Sequence, residues 1–398
     1  LGDAQLVVVS TAIPAHNPEL VAARERGLQL MHRSELLAAL IDGPLSVGVT
    51  GTHGKGTVSS MITAILEAAG WEPGFIIGGL LLDFGTNARA GGGRVMVAEV
   101  DESDGSHANV PTDLLLCNFL EPDHLNYYKD LDDIIDSMTR VLDGSAKLRH
   151  AFVNADCEGN RRMLARLTKP VTTYSMEGEA DFTARLVGRG QLPLRFEVFR
   201  RGERLGEVTM PLPGRYNVVN AVGAMAVCDH IGIPFEAMQR GLAKFRGLDN
   251  RFTIVDAAGV YLVKDYNSHP TAIRKVLESA RDLAKGRIVS VFKPYRYTLT
   301  SYLQDEYATA FAGSDEVIIT TMYAASEDPI PGVDTDFVVR KLREAGHTVT
   351  HVVDQNDIVP YLKSTVKDGD KVLFFGGDDF FQMADRWAAE RREENGVA

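Results

Sequence analysis

The chain has 398 residues, 45% of them hydrophobic and 24% charged, a size and balance that imply two or three packed domains and exclude a disordered or fibrous chain. A net charge of −12 argues against a nucleic-acid partner, because a phosphate backbone selects a basic face, and leaves room only for a local basic pocket that takes a small anion. Cys117, Cys157 and Cys228 lie far apart without CxxC spacing, and no apolar run reaches the roughly 18 residues of a membrane span, so a reducing cytoplasm is expected and neither a disulfide framework, a zinc site nor a membrane partner is.

Leu6 to Val9 read as a strand, Asn17 to Arg26 as a helix, and "GLQLMHRSELLAAL" as a short strand followed by another helix. This has the look of the tail of an α/β domain, and since the chain opens on Leu1 almost directly into a strand, a preceding segment is expected. From Leu45, "LSVGVTGTHGKGTVSSMITAILEAAGW" runs from a β-branched apolar stretch through glycines to Met61, Ile62, Ile65 and Leu66 at helical spacing. Strand, glycine turn and helix N terminus together form an anion cradle: Gly51, Gly54 and Gly56 let backbone N–H groups converge, the helix adds free donors, and Lys55 neutralises a phosphate. Thr57 supplies the hydroxyl that such loops offer to magnesium. The spacing departs from G-x-x-x-x-G-K-[ST], since Gly56 directly follows the lysine, and a tight βα turn with an exposed lysine is the plain alternative.

The strand in "RVMVAEVDES" ends in Glu99, Asp101, Glu102 and Asp104. A carboxylate at the C-terminal end of a parallel strand beside a phosphate loop is where a magnesium ligand belongs, which favours Glu99, while Asp104 fits an acidic surface loop. "DLLLCNFLEPDHL" brings His124 to another strand end, where a structural histidine and a functional one are equally good readings. A helix over Leu131 to Leu142 follows. "LRFEVFRRGERLGEVTMPL" alternates, with Leu194, Phe196 and Val198 on one face, and reads as a hairpin inserted into or flanking the domain. Two helices then lead to a boundary near Gly247. Beyond it come a hairpin turning at Ala258 and Gly259, and the strands in "GRIVSVF", "DEVIITTMY", "HTVTHVV" and "DKVLFFGG", whose alternation with helices implies a parallel sheet.

Taken in order, "GVTGTHGKGT", "VAEVDESDGS", "NFLEPDHLNYY", "GRYNVVNAVGAMAV", "FRGLDNRF", "KDYNSHPTAIRKVL", "FKPYRYTLT", "YAASEDPIPGV" and "VLFFGGDDF" resemble the motifs of the Mur ligases over nearly the whole chain. The resemblance implies a three-domain α/β architecture: a partial Rossmann-like N-terminal domain (1–42) for a UDP-sugar, a central P-loop ATPase-type domain (43–246), and a C-terminal Rossmann-like domain (247–398) that carries the amino acid. It implies ADP-forming amide synthesis from a carboxylate and an amino acid by way of an acyl phosphate, with ATP and Mg2+. Within the family the likeness is greatest to the branch that joins UDP-N-acetylmuramate to L-alanine in peptidoglycan synthesis.

On the family pattern Lys55 meets the β- and γ-phosphates within a loop of Gly51, Thr52, Gly54, Gly56 and Thr57. Thr57, Glu99 and His124 hold metal, the interval from Glu99 to His124 matching the family's. Asn220 falls at the adenine, Tyr216 where the family has a histidine, and Arg251 and Asp265 where the C-terminal domain meets the nucleotide. Ser10, Asn87 and Arg89 are left for the UDP-sugar, with Tyr266, His269 and Arg296 for the other substrates; an exposed loop arginine is the alternative for Arg89. The family's "DDYxHHP" is "KDYNSHP" here and its "QPHRYxRT" is "KPYRYTLT", so Ser268 replaces a histidine and Leu299 a second arginine, the side chain suited to gripping a carboxylate. Lys293 would compensate only as a point charge. These departures keep open a relative with another acid and amine pair, including the ligase that recycles a murein tripeptide, or a non-catalytic nucleotide-binding derivative. Lys55→Ala is expected to abolish turnover and leave the fold intact.

Overall fold

Strands β1 (Leu6–Val9) and β2 (Gln29–His32) pair in parallel across helix α1 (Pro18–Glu25). Asn17 caps α1 by accepting the N–H groups of Glu19 and Leu20, with Pro18 at the first helical position. His32 begins α2 (Arg33–Leu40) with a reciprocal cap, in which the Glu35 carboxylate accepts the His32 N–H at 2.7 Å. The computed structural model describes residues 1–188, 191–283, 285–324 and 327–396. By its contacts the chain divides into two units: Leu1–Arg185 with Phe196–Thr209 and Val218–Phe245, and Leu186–Arg195 with Met210–Asn217 and Arg246–Ala398. No described helix is long and apolar enough to cross a membrane.

The first unit is organised on a ten-stranded sheet. Its centre is β3 (Leu45–Thr50), which continues into α3 (Lys55–Ala68). Next in the chain come β4 (Gly74–Leu81), β5 (Thr86–Arg89), β6 (Val95–Glu99) and β7 (Leu114–Cys117), then α4 (Leu131–Gly144), β8 (His150–Asn154), α5 (Glu158–Leu164) and β9 (Val171–Ser175). The sheet is completed by β10 (Phe182–Val187), β11 (Leu194–Arg200) and β12 (Glu203–Met210), giving the order β12-β11-β10-β9-β8-β7-β3-β6-β4-β5. Because β6 and β7 both run parallel to β3, the phosphate loop, the acidic run after Glu99 and the segment leading to His124 leave the sheet at one edge.

The alternating hairpin is β11 and β12, turning at Arg201 and Gly202, both with positive φ. Leu194, Phe196 and Val198 are buried on its inner face as expected. It prolongs one end of the sheet, so of the two expectations it flanks the domain and is not inserted into it. The first 42 residues share a core with the central sheet: Leu37 and Ile41 pack with Met96, Ala98, Val100 and Val110. Two short strands bury too little to hold a core of their own.

Helices α6 (Arg215–His230) and α7 (Phe235–Lys244) follow the hairpin. A Cβ at Gly241 would lie 2.7 Å from the Ile65 Cα, so glycine is what lets α7 press on α3. The second unit holds β13 (Thr253–Ala257) and β14 (Val260–Asp265), an antiparallel pair turning at Ala258 and Gly259. Then α8 (Pro270–Leu283), β15 (Ile288–Phe292), α9 (Tyr297–Tyr302), α10 (Gln304–Ala310), β16 (Glu316–Ile319), α11 (Thr335–Glu344), β17 (Val349–His351), α12 (Ile358–Thr365), β18 (Lys371–Phe375) and α13 (Asp378–Glu394) alternate. The order β13-β14-β18-β15-β16-β17 is parallel from β14 onward. One face of this sheet packs Ile273, Leu277, Phe311 and Phe375, the other Leu262, Phe374, Phe380 and Trp387.

Candidate active site

The phosphate loop takes its shape from close backbone approaches. Gly51 has φ of 116°, and a Cβ there would sit 2.7 Å from the Phe119 carbonyl oxygen; Gly54 has φ of 80°, and its Cβ would come within 2.3 Å of Asn118 Nδ2. Both positions therefore require glycine. The Thr52 N–H donates to the Phe119 carbonyl at 2.6 Å, and Asn118 Nδ2 donates to the His53 carbonyl at 2.9 Å and to Asn220 Oδ1 at 2.8 Å. Tyr174 donates its hydroxyl to Asn118 Oδ1 at 2.7 Å. Asn220, expected at the adenine, is thus also a buried strut of the loop. No side chain caps the N terminus of α3, so its first-turn N–H groups, including that of Thr57, face the loop as donors for an anion.

Lys55 Nζ donates to the Gly51 carbonyl at 2.9 Å and to Glu102 Oε1 at 3.0 Å, and lies 2.9 Å from Glu102 Oε2. Glu102 is only 1% exposed. His124 Nε2 stands 3.4 Å from Glu102 Oε1, and the Tyr128 hydroxyl donates to the Glu102 carbonyl at 2.7 Å, holding that turn in place. Burial opposes the charge on Glu102, but the Lys55 ammonium and the His124 hydrogen bond outweigh it and bring the carboxyl down to about 2. Lys55 mirrors this: burial pulls its ammonium down, while Glu102, Asp101 and Glu99 push it up to about 12. His124, with φ of 53°, is likewise raised despite burial, through Glu102 and Asp123.

The residue the sequence pattern passed over is Glu102. Glu99 stands at the end of β6 and its charge acts on Lys55, yet its Oε2 accepts the Gly78 N–H at 2.7 Å. The carboxylate in contact with both Lys55 and His124 is Glu102, three residues beyond the strand, where alternation no longer indicates direction. Asp104, expected as a surface acid, is half-buried: it accepts the Ser106 N–H at 3.0 Å and the hydroxyl of Thr11, and lies 3.7 Å from His32 Nε2. Burial would raise its pKa, but these hydrogen bonds and Arg33 lower it.

The remaining residues fall into separate groups. Arg89 lies on β5, the edge strand, where it pairs with Glu67 at 2.5 Å, donates to the Pro73 carbonyl at 3.0 Å and stacks over Phe84 at 4.9 Å. Those contacts tie α3 to the sheet edge. Asn87 is exposed on the same strand and Ser10 is half-buried after β1. In the second unit, Asp265 is buried and accepts the N–H groups of Phe252 at 2.9 Å and Asn267 at 3.0 Å. Burial raises its pKa against the pull of Arg251. Arg251 donates to Asn267 Oδ1 at 3.0 Å and lies over the half-exposed Tyr266 ring. Burial first, and then Asp265, raise the Tyr216 phenol. His269 is buried before α8, its Nδ1 accepting the Thr271 N–H at 3.3 Å. Arg296, with φ of 64°, opens α9 over the Tyr295 ring, 3.8 Å from Glu327. Leu299 is buried in the core with Phe292 and Tyr307, and Lys293 is paired with Asp379 at 2.8 Å.

Models of three Mur ligase segments match the chain: the family's catalytic domain over residues 2–43, the middle domain over 49–228, and the glutamate ligase domain over 250–377. A UDP-N-acetylmuramate–L-alanine ligase of Pelotomaculum thermopropionicum is 38% identical over 96% of this chain and 83% of its own, and one of Agrobacterium fabrum is 35% identical over 100% and 86%. This chain belongs to the Mur ligase family. Among solved structures, a UDP-N-acetylmuramate–alanine ligase of Thermotoga maritima superposes with a TM-score of 0.80 at 24% identity, over 98% of this chain and 86% of that one. A murein peptide ligase of Psychrobacter arcticus gives 0.71 at 21% identity, over 97% and 86%. Both share the three-domain Mur ligase fold. As a Mur ligase the protein is an ATP-dependent, ADP-forming ligase, and its glycine loop, uncapped helix and lysine have the chemistry to take a nucleotide's phosphates.

Proposed function

We propose that the protein joins L-alanine to UDP-N-acetylmuramate. What carries this reading is the 38% identity to a ligase of that name over 96% of the chain. Residues 1–42 would contribute to the UDP-sugar side with Ser10 and Asn87, residues 43–246 would bind ATP, and residues 247–398 would carry the amino acid. A carboxylate is a poor electrophile because its oxygen leaves badly, so the γ-phosphate passes to it first and the amine attacks the acyl phosphate. Gly51 to Thr57 would orient the phosphates through backbone N–H groups, with Lys55 against the charge that develops in transfer. Asn220 would face the adenine, and Arg251 and Asp265 the nucleotide from the C-terminal segment, with Tyr266, His269 and Arg296 toward the other substrates.

Thr57 and Glu99 would offer Mg2+ a hydroxyl and a carboxylate, the oxygen ligands it takes together with waters and phosphate oxygens, while His124, a nitrogen donor held 3.4 Å from Glu102 Oε1, fits that ion less well as a direct ligand. When bound, Mg2+ would neutralise phosphate charge.

A second reading, the same chemistry on another amine, is favoured by Leu299: its side chain is core, so the carboxylate grip of a second arginine is missing. ADP release, measured with ATP, Mg2+, UDP-N-acetylmuramate and L-alanine and with each omitted in turn, tests both. Release that needs both substrates supports the first reading. Release with UDP-N-acetylmuramate and a different amino acid only would replace it with the second.

A further inference from the structure

We infer that Glu102 makes nucleotide binding at the phosphate loop conditional on a divalent cation, by cancelling the charge of Lys55 until the cation arrives. The inference rests on the reading of Gly51 to Thr57 as the ATP phosphate site.

The loop's one lysine is already spent. Lys55 Nζ is 3.0 and 2.9 Å from the two oxygens of Glu102, and the two side chains are 14% and 2% exposed. A pair this dry is electrostatically tight, because little water screens it. Glu99 adds a second negative charge to the same cluster, whereas Asp101 has its own partner in Arg33 at 3.1 Å. Lys55, Glu102 and Glu99 together carry no excess positive charge to offer a polyphosphate. Drawing Lys55 away would leave the buried Glu102 carboxylate only His124 Nε2, at 3.4 Å from one oxygen, and half-unpairing a buried charge costs more than the new contact returns. A nucleotide alone therefore meets backbone donors and a neutralised lysine. A nucleotide with its divalent cation brings the missing charge, and Lys55 can then bridge Glu102 and a phosphate without leaving either bare.

The test is ADP binding by calorimetry to the full chain, in Mg2+ and in excess EDTA, for the parent and for Glu102→Gln. Glutamine keeps the shape and removes the charge. The parent should lose at least about thirtyfold in ADP affinity on chelation, and Glu102→Gln should bind ADP about tenfold more tightly than the parent in EDTA, the scale of one freed charge-assisted contact. A gain below about twofold for the folded variant, or a parent indifferent to chelation, overturns the inference. If the variant does not fold, the salt dependence of the parent's metal-free ADP affinity decides: a flat response fits a neutralised lysine, and a steep fall with salt shows a free cation and overturns the idea. A parent that fails to bind ADP even with Mg2+ removes the phosphate-site reading itself, a result distinct from a parent that binds but ignores Glu102.

Discussion

Replacing Lys55 by alanine removes the ammonium 2.9 Å from a carboxylate that is 2% exposed. The sequence suggests a variant inactive but intact, and the structure adds a cost in stability. Burial alone would raise the Glu102 carboxyl, and Lys55 is the leading reason it stays near 2 instead of its ordinary 4.5. A carboxyl so depressed contributes stability that is present in full above pH 4.5 and is lost as pH falls through about 2. Holding the proton off to that extent corresponds to about 3 kcal/mol, at the lower end of the 3–5 kcal/mol typical of breaking a buried pair from one side. His124 supplies part of that shift and remains in the variant, so Lys55→Ala should cost up to about 3 kcal/mol at pH 7, and the deficit should shrink as pH drops below 4.5. Adding Glu102→Gln removes the stranded charge, so the double variant should recover to within about 1 kcal/mol of the parent. Urea denaturation without nucleotide measures this, followed through Trp71, which lies just beyond α3, in a Trp387→Phe background that silences the other unit. A loss under about 0.5 kcal/mol, or a double variant no better than the single, would refute the reasoning.

Gly54→Ala forces an L-residue to φ of 80° and drives its Cβ into Asn118 and Asn220. Left-handed strain of about 1 kcal/mol and the disrupted Asn118–Asn220 hydrogen bond, worth about 1 kcal/mol, should lower stability by about 2 kcal/mol and weaken ADP binding in the same variant; an unchanged melting curve would mean the loop does not need this conformation. The His150 ring stacks on His230 at 4.4 Å between centroids, and burial, followed by the His230 charge, depresses its pKa. Its contribution to stability is thus present above pH 6.5 and lost as pH falls through its lower folded value. In NMR titrations His230→Gln should move the His150 pKa back upward and flatten the loss of stability in acid; a His150 curve that does not move would show the stack to be electrically idle.

Legibility tracked whether a residue's role is decided locally. Strands β3, β6 and β7 are short runs such as "LSVGVT" and "LLLC", buried on both faces, and such runs declare themselves by apolar content alone. Gly202 and Gly259 mark their hairpins because two-residue turns of that hand demand positive φ. Strands β4, β8 and β9 carry no such signal, because "GFIIGGLL" is broken by glycines and "HAFVN" and "VTTYS" mix polar and apolar residues without a period. The site divides in the same way. Lys55 and its glycines announce a cradle from their own spacing. Glu102 does not, since it lies past the end of β6, and only the turn at Gly105 with φ of 71° and the bond from Tyr128 aim its carboxylate at a lysine 47 positions earlier.

Leu299 shows the converse. Against a family motif it registers as a lost arginine, whereas its own apolar side chain, read as core, already indicates the 7% exposure and the Phe292 and Tyr307 neighbours found in the fold. A motif says which chemistry a position has served, and only the contacts made by the residue present say what that position does now. Here they place the unassigned carboxylate beside the phosphate-loop lysine and turn the missing guanidinium into packing.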